Sequence, residues 1–470
     1  MRSHGKGPIR RLRGRTLLTI GLAAALVTSA CTGSGGDSAG PEKSAAPATM
    51  DPGPTCVKSE KGDSCLPIAP AGKRVDLLKP SFSNPTSITN RLHPTSEVDQ
   101  TLYLGSADGE PFRSEVTLLP ETKTIEWNGQ RVTTVVSQYL AFAGGRIQEV
   151  ALDWYAQADD GSVWYLGEDV FNYEDGVVAD TEGTWLAGKD GPAAMIMPAN
   201  PKVGDVYRPE NIPGAVFEEV TVASTGQTVP GPAGPVRGAI EVSELHMDAG
   251  REAKVFAPGY GEFSTGNPAG DLEAAALAVP TDALPGPAPA QLTSISAAAL
   301  TVFDAAGRED RTGGAAAQKA VQQAWQAYRS GQVPQMLGKQ MSAAVAALTA
   351  AVTAEAPEEA RQAALDVARA SLDLRLRHQP VIEIDLARLA LWARQLLIDT
   401  AAEEPGDIAG DAETLKWIWA RVRHAMEPAA AARVDAQLRD LQGAAQKRNV
   451  AAAAKAAPLL LETLGTLRPR

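Results

Sequence analysis

His424 and Glu427 are the two side chains whose types and spacing come nearest to a metal site. Three residues apart in a helical stretch, they would share one helix face, and metal sites in helical bundles are built from such pairs. A complete site needs a second pair, and the sequence offers only His378 with Glu383 and Asp385, interrupted by a proline. The competing interpretation is that His424 lies near a helix C-terminus, where the helix dipole favours a positive charge, and that Glu427 is solvated.

Aromatic side chains provide a second candidate site. Trp154 and Tyr155 precede an Asp160-Gly161 pair, and Trp164 and Tyr165 follow it. These four residues could line an apolar pocket for a lipid or another hydrophobic ligand. Packing in an ordinary core is the competing interpretation.

Acidic residues at the predicted turns, such as Asp159 and Asp175, provide a third candidate, because carboxylate oxygens suit Ca²⁺. Asp is also common in turns because it tolerates the backbone conformation there, and the sequence has no D-x-D-x-D-G loop.

The sequence contains few features that indicate catalysis. The chain has five His, and no G-x-S-x-G elbow, P-loop, H-E-x-x-H or G-x-G-x-x-G motif stands in a suitable context. We therefore expect no catalytic residues, no enzyme activity and no cofactor.

The N-terminus indicates export. Six basic residues precede an apolar run from Leu17 to Val27, which is too short to span a bilayer and has the order of a secretory signal. The run ends in Thr28-Ser29-Ala30-Cys31, which resembles a bacterial lipobox, although Thr28 stands where Leu is more common. We expect residues 1–30 to be a lipoprotein signal peptide and lipidated Cys31 to anchor the chain to the outer face of the cytoplasmic membrane. Ordinary cleavage near Ala30, without lipid, is the alternative.

The other two cysteines, Cys56 and Cys65, are close in sequence. An exported chain would pair them in a disulfide and leave Cys31 as the odd one. Residues 31–83 contain mainly Gly, Ser, Ala, Pro and Lys, so we expect a flexible tether stiffened by that disulfide.

Charge divides the remaining chain into two parts. Without the six bases of the signal peptide there are 38 Lys and Arg against 56 Asp and Glu, a net charge of −18, which argues against nucleic acid as a partner. Residues 84–265 contain 27 acids and 11 bases, whereas residues 291–470 contain 20 acids and 21 bases. We expect an acidic β domain at 84–265, a Pro/Ala/Gly linker at 266–290 and an Ala-rich helical bundle at 291–470.

Turn pairs recur along the acidic domain: Asp108-Gly109, Asn128-Gly129, Gly144-Gly145, Asp160-Gly161 and Asp175-Gly176. They predict an antiparallel meander with strands of about 12 residues, long enough that the sheet must coil into a barrel or half-barrel, with a bulge at Gly167. At the central hairpin, a two-residue loop would place Ala156 opposite Tyr165. A three-residue loop would instead place Tyr155 opposite Tyr165, and we favour the first register. Both registers place aromatic residues on both faces of the sheet.

Five segments of the acidic domain carry a family resemblance: SITNRLHP (87–94), DWYAQADDGSVWYLGED (153–169), TEGTWLAG (181–188), MPANPKVGDVYRPE (197–210) and FAPGYGEF (256–263). They resemble a β-rich domain found in many exported bacterial proteins and lipoproteins, a family without an established biochemical role. The chain departs from that pattern at His93-Pro94, where related domains have an aromatic before the proline. The resemblance implies a β-rich fold and supplies no catalytic residues.

In the C-terminal part the apolar period changes from 2 to 3.6, with Leu386, Leu389, Ala393 and Leu396 on one helical face. Breaks occur at Ser330-Gly331, Pro357, Gln379-Pro380, Pro405-Gly406, Pro428 and near Asn449, and they predict roughly six antiparallel helices. The whole fold is therefore expected to be α+β.

The sequence favours a lipid-anchored envelope protein with a non-catalytic binding or scaffolding role, whose partner is an unknown ligand or envelope protein. The alternatives are a carrier of a lipid or another hydrophobic ligand in the concavity of the sheet, and a metal-binding helical bundle.

Overall fold

The computed structural model describes residues 49–470, so the predicted signal peptide, the lipobox and Cys31 lie outside the described residues. The fold is α+β, with a fourteen-stranded antiparallel sheet followed by eight helices in this part of the chain. No helix within residues 49–470 is long and apolar enough to cross a membrane.

The strands are β1 (Gln100–Ala107), β2 (Glu110–Trp127), β3 (Gln130–Ala143), β4 (Arg146–Gln157), β5 (Val163–Glu174), β6 (Val177–Asp180), β7 (Trp185–Leu186), β8 (Ala194–Met197), β9 (Val206–Ile212), β10 (Val216–Gly231), β11 (Gly234–His246), β12 (Arg251–Ala257), β13 (Gly261–Gly266) and β14 (Leu272–Val279). Their order in the sheet is β6-β5-β4-β3-β2-β1-β14-β13-β12-β11-β10-β9, and β7 and β8 both pair with β5. The predicted antiparallel meander is therefore confirmed. Of the predicted barrel or half-barrel, a closed barrel is not supported, because the sheet is not closed by hydrogen bonds between its two ends.

Four of the five predicted turn pairs are tight two-residue loops. Both central residues have positive φ at Asp108-Gly109, Asn128-Gly129, Gly144-Gly145 and Asp175-Gly176, which is the conformation of a type I′ turn. This conformation explains why Gly, Asn and Asp occupy those positions.

The fifth turn corrects the register that we favoured. Tyr155 pairs with Tyr165 and Ala156 pairs with Trp164, as expected for the longer loop. Ala158 N–H donates to the carbonyl of Ser162, and the Asp160 carboxylate accepts from the Ser162 N–H at 2.9 Å. This side-chain turn at Asp160 replaces the type I′ geometry, and only Gly161 of the pair has positive φ.

Gly167 marks the predicted irregularity in β5, where the pairing with β4 shifts between Asp153 and Tyr155. The φ of Gly167 is 126°, and a Cβ there would lie 2.3 Å from the carbonyl oxygen of Trp185. Only glycine allows β7 to approach β5 so closely.

The sheet has an inner and an outer face. Inner-face residues from opposite ends of the sheet, such as Tyr165 on β5 and Tyr207 on β9, belong to one buried hydrophobic cluster. The outer face of β1 to β5 packs on the helices, as the burial of Leu140 and Phe142 with Leu396 shows. The sheet thus bends around its inner face.

Two predicted boundaries are corrected by the fold. Residues 272–279 of the predicted linker form β14, which pairs with both β1 and β13, because the apolar run AAALAV is buried between them. Part of the predicted tether also lies on the sheet: Val57 and Leu66 pack with Phe217. Cys56 and Cys65 lie at disulfide distance, with their Cα atoms 5.2 Å apart.

The helices are α1 (Ala290–Gly307), α2 (Arg311–Tyr328), α3 (Gln335–Thr353), α4 (Pro357–Arg375), α5 (Val381–Ala401), α6 (Pro405–Val422), α7 (Pro428–Gln446) and α8 (Val450–Thr466), with 3₁₀ turns at Ala71–Lys73 and Arg423–Ala425. All six predicted breaks fall at the boundaries of helices. Pro357, Pro405 and Pro428 each stand in the first turn of a helix, where a missing N–H costs nothing. The unpredicted break lies between α1 and α2, where Asp310 caps α2 by accepting from the Gly313 N–H.

A buried ionic network joins the helices to the outer face of the sheet. It contains three arginines and three acids: Arg113, Arg388, Arg421, Glu115, Asp373 and Asp385. Arg113 on β2 donates two hydrogen bonds, of 2.7 and 2.9 Å, to Asp373 on α4. Burial would raise the pKa of Glu115, but the charges of Arg388, Arg113 and Arg421 outweigh burial and lower it. The two parts of the chain therefore form one continuous structure, and this network is balanced in charge.

Candidate functional site

The inner face of the sheet carries a row of carboxylates, which strand register and alternation place on the same side. We call them the inner-face carboxylates: Glu149, Asp153, Glu168, Glu210, Glu218, Glu244, Glu252, Glu262 and Glu273. Most are half-buried, and Asp153 and Glu244 are buried. On the inner face of the described strands only Lys254 and His246 can balance them. The inner face therefore has a large excess of acidic groups over basic ones.

The carboxylates at the β4–β5 end have no basic partner. Glu149, Asp153 and Glu168 form no ion pair with Lys, Arg or His anywhere in residues 49–470. Burial raises the pKa of Glu149 to about 7. Burial and the negative charge of Glu210 raise the pKa of Glu168 well above its ordinary value. These acids therefore retain a proton to higher pH than ordinary carboxyl groups, and a bound cation would favour their ionised form.

Asp153 stands beside a pair of tyrosines. The Tyr165 hydroxyl donates a 2.6 Å hydrogen bond to Asp153, and the Tyr155 and Tyr165 rings stack with centroids 4.7 Å apart. Burial and the nearby charge of Glu149 outweigh the hydrogen bond from Tyr165 and raise the pKa of Asp153 to about 7. Carboxylates beside aromatic rings can bind a cation by charge and by cation–π contact.

The β10–β12 end contains both bases. His246 Nδ1 lies 3.3 Å from Glu218, and Nε2 lies 3.6 Å from Glu244 and 3.6 Å from Glu252. Lys254 Nζ lies 3.0 Å from the same oxygen of Glu244. Burial opposes a charge on His246, but its hydrogen bonds with Glu218 and Glu252 outweigh burial and raise its pKa to about 11.

The carboxylates around His246 differ in their affinity for protons. Burial and the adjacent charge of Glu218 raise the pKa of Glu244 to about 8. Burial would also raise the pKa of Glu218, but the hydrogen bond with His246 and the charge of Lys254 lower it to about 2. Even here the acids outnumber the bases.

The four aromatic residues predicted to bind a ligand are divided between the two faces. Tyr155 and Tyr165 lie on the inner face, beside the carboxylates. Strand alternation places Trp154 and Trp164 on the opposite face, where they are 3% and 1% exposed. Lys123 Nζ stands 3.0 Å above the Trp154 ring. The four residues therefore do not line one pocket.

The predicted metal pair in the helices is not assembled. Helix α6 ends at Val422, so His424 lies in a 3₁₀ turn and Glu427 is the N-cap of α7, and both are exposed. Their separation of three residues therefore does not place them on one helix face. Asp385, from the second suggested pair, belongs to the buried ionic network. The turn acid Asp159 accepts hydrogen bonds from Ser81 and Ser83.

The inner-face carboxylates escaped prediction because acidic residues in strands look like a solvated face. A usable signal was their period of two in strands that are otherwise apolar, as in the segment 240–246, IEVSELH, where Glu244 and His246 follow Ile240 and Val242. Comparisons of the chain with protein-family models, with curated proteins and with solved structures each found no match.

Proposed function

We propose that this is a lipid-anchored, non-catalytic envelope protein that binds a cationic ligand on the inner face of a half-barrel sheet. The N-terminal signal and the lipobox at Cys31 support export and anchoring, and the lack of catalytic motifs supports a binding role. The inner-face carboxylates supply the site. The resemblance to a β-rich domain of exported lipoproteins agrees with this assignment.

The excess of nine carboxylates over two bases carries the proposal. A partly buried carboxylate without a cationic partner is costly, because desolvation is not repaid by an opposite charge. In the network between sheet and helices, by contrast, three buried acids are matched by three arginines. A ligand that brings positive charge would complete the inner face in the same way.

The excess of carboxylates on the inner face also favours a cation over a lipid as the ligand. A lipid carrier needs a cavity with mainly apolar walls, whereas charged residues from β4, β5 and β9 to β14 face inwards here. An acyl chain placed there would desolvate Glu149, Asp153 and Glu168 without compensation. A scaffolding role remains compatible if the partner presents a basic segment.

Native mass spectrometry of the protein purified from its own host tests this function. We expect a bound cation in the wild type and its loss in the Glu168→Gln/Glu210→Gln double variant. Glu241→Gln is the matched control, because Glu241 lies on β11 but is exposed on the other face. A co-purifying lipid, or a cation retained by the double variant, would contradict the proposal.

A further inference from the structure

Glu244, His246 and Glu252 bring two carboxylates and an imidazole together on β11 and β12. Glu244 pairs directly with Glu252 across these strands, and His246 is two residues further along the same face. Glu218 on β10 pairs with His246 from the other side. Strand register therefore fixes all four side chains without depending on a mobile loop.

The separations suit a tetrahedral metal ion. His246 Nε2 lies 3.6 Å from both Glu244 Oε1 and Glu252 Oε2. With metal–ligand bonds of about 2.0–2.2 Å, the ligand atoms of a tetrahedral site lie roughly 3.3–3.6 Å apart. Each of the two oxygens therefore has the spacing of a tetrahedral ligand from Nε2. Glu252 is not among the residues whose ligand atoms already lie within 4.8 Å of one another, so its carboxylate must turn towards Glu244 before one ion can contact all three atoms.

Glu218 completes a second feature of protein metal sites. Its Oε1 lies 3.3 Å from His246 Nδ1, the nitrogen that would face away from the ion. A carboxylate in that position orients the ring and leaves Nε2 for the metal. Glu218, Glu244 and His246 can each bring one ligand atom within 4.8 Å of the others.

An unpartnered buried hydroxyl points to the same place. The Tyr207 hydroxyl on β9 is fully buried and has no hydrogen-bond partner among the described residues. Tyr207 lies in one cross-strand row with Val220 and Glu244. Glu244 is 2% exposed, and its Oε1 is shared between Lys254 Nζ at 3.0 Å and His246 Nε2 at 3.6 Å. A water bound to a metal ion on Glu244 would satisfy the Tyr207 hydroxyl.

We propose that Glu244, Glu252 and His246 bind a divalent first-row transition metal ion and that Glu218 orients the imidazole. This inference deepens the proposed function, on which it rests, by naming the class of cation at this end of the inner face. A mixed set of one nitrogen and carboxylate oxygens favours Zn²⁺ or a similar ion over Ca²⁺ and Mg²⁺, which prefer oxygen alone. Lys254 does not cancel the negative charge of this cluster, because its Nζ also lies 3.8 Å from Glu262.

Calorimetric titration of the full chain in detergent with Zn²⁺ tests the metal site. We expect one strong Zn²⁺ site in the wild type. Glu218→Gln, which changes only the orienting residue, should lower the affinity by roughly 10- to 100-fold. His246→Gln should lower it further. Glu252→Gln provides a second ligand variant if His246→Gln does not fold, which melting curves would reveal. His424→Ala is the matched control, since His424 is exposed and far in sequence from the sheet, and its affinity should equal that of the wild type.

Cobalt supplies a second readout. Co²⁺ bound in place of Zn²⁺ should give the visible absorption of a tetrahedral site in the wild type and in His424→Ala, but not in His246→Gln. Equal zinc binding by wild type and His246→Gln would overturn the assignment, and so would loss in His424→Ala.

The outcomes also separate the two proposals. If Zn²⁺ does not bind but a polyamine binds in a way that Glu168→Gln/Glu210→Gln abolishes, the metal site is wrong and the cation-binding function stands. If neither cation binds, both proposals fail.

Discussion

Glu115 on β2 accepts a 2.6 Å hydrogen bond from Arg421 on α6, although the two residues are 306 positions apart in sequence. Both side chains are buried, at 3% and 4% exposure. The pair belongs to the network that joins the outer face of the sheet to the helices. The sheet and the helices should therefore unfold together.

Replacing Arg421 with Ala should lower the free energy of unfolding by about 3–5 kcal/mol, because Glu115 would keep a buried charge without its partner. Urea unfolding followed by circular dichroism and by Trp fluorescence measures the loss. Arg423→Ala is the control: Arg423 is exposed and pairs with Asp435, so its loss should cost about 1 kcal/mol or less. Two separate transitions in the wild type would refute the single unfolding unit.

Gly176 offers a steric test of the same contact between sheet and helices. Gly176 and Gly129 both have φ of 73°, but a Cβ on Gly176 would lie 2.1 Å from the carbonyl oxygen of Gly406 on α6, whereas a Cβ on Gly129 meets nothing within 4 Å. Gly129→Ala should cost about 1–2 kcal/mol for the backbone conformation alone, and Gly176→Ala should cost roughly 1–3 kcal/mol more. Equal melting temperatures for the two variants would show that the turn does not touch α6.

The cation-free protein should lose stability as the pH rises from about 4 to about 7. The pKa values of Glu149 and Asp153 are raised to about 7 in the folded chain, whereas carboxyl groups of an unfolded chain titrate near 4. The folded state therefore holds more protons in this window, and each group contributes stability at low pH that is lost as the pH rises through its folded pKa.

Between pH 5 and pH 8 each of these two groups should lower the free energy of unfolding by roughly 2–3 kcal/mol. Denaturant unfolding at pH 5 and pH 8 measures it, and the Glu149→Gln/Asp153→Asn variant should flatten the profile relative to Glu241→Gln. A stability that rises over the same window in the wild type would contradict the assigned shifts.

Anchoring at Cys31 predicts a change of location. Cys31→Ser should move the protein from the membrane fraction to the soluble exported fraction, because the lipid attachment is lost. Cys56→Ser should leave the protein in the membrane fraction. Cell fractionation with metabolic labelling by a fatty acid checks both variants, and a labelled Cys31→Ser protein would exclude lipidation at this residue.

Local rules predicted much of the fold. Turn pairs such as Asn128-Gly129 and the prolines at helix starts, such as Pro357, depend only on backbone preferences, so their positions follow from sequence. Strand β14 was missed because its Ala-rich sequence is small enough to pass for a linker, and only its neighbours β1 and β13 make it a strand.

The candidate site could not be predicted from local sequence rules. Glu168 and Glu210 are on strands at opposite ends of the pairing order, and only the bend of the sheet brings them to one inner face. The ionic network could not be predicted for the same reason, since Arg113 and Asp373 are 260 residues apart. Strand alternation predicts that Glu244 and His246 lie on one side of the sheet, but it does not predict which other strands lie opposite them.

Calorimetric titration of the wild type and of the Glu168→Gln/Glu210→Gln variant, with a panel of divalent metal ions and polyamines, tests whether the inner-face carboxylates bind cations. We expect that at least one cation binds the wild type and that Glu241→Gln binds it equally well. The double variant should bind it at least about tenfold more weakly, a loss of about 1.4 kcal/mol. If no cation binds, or if the double variant binds every cation as the wild type does, the inner-face carboxylates are not a binding site.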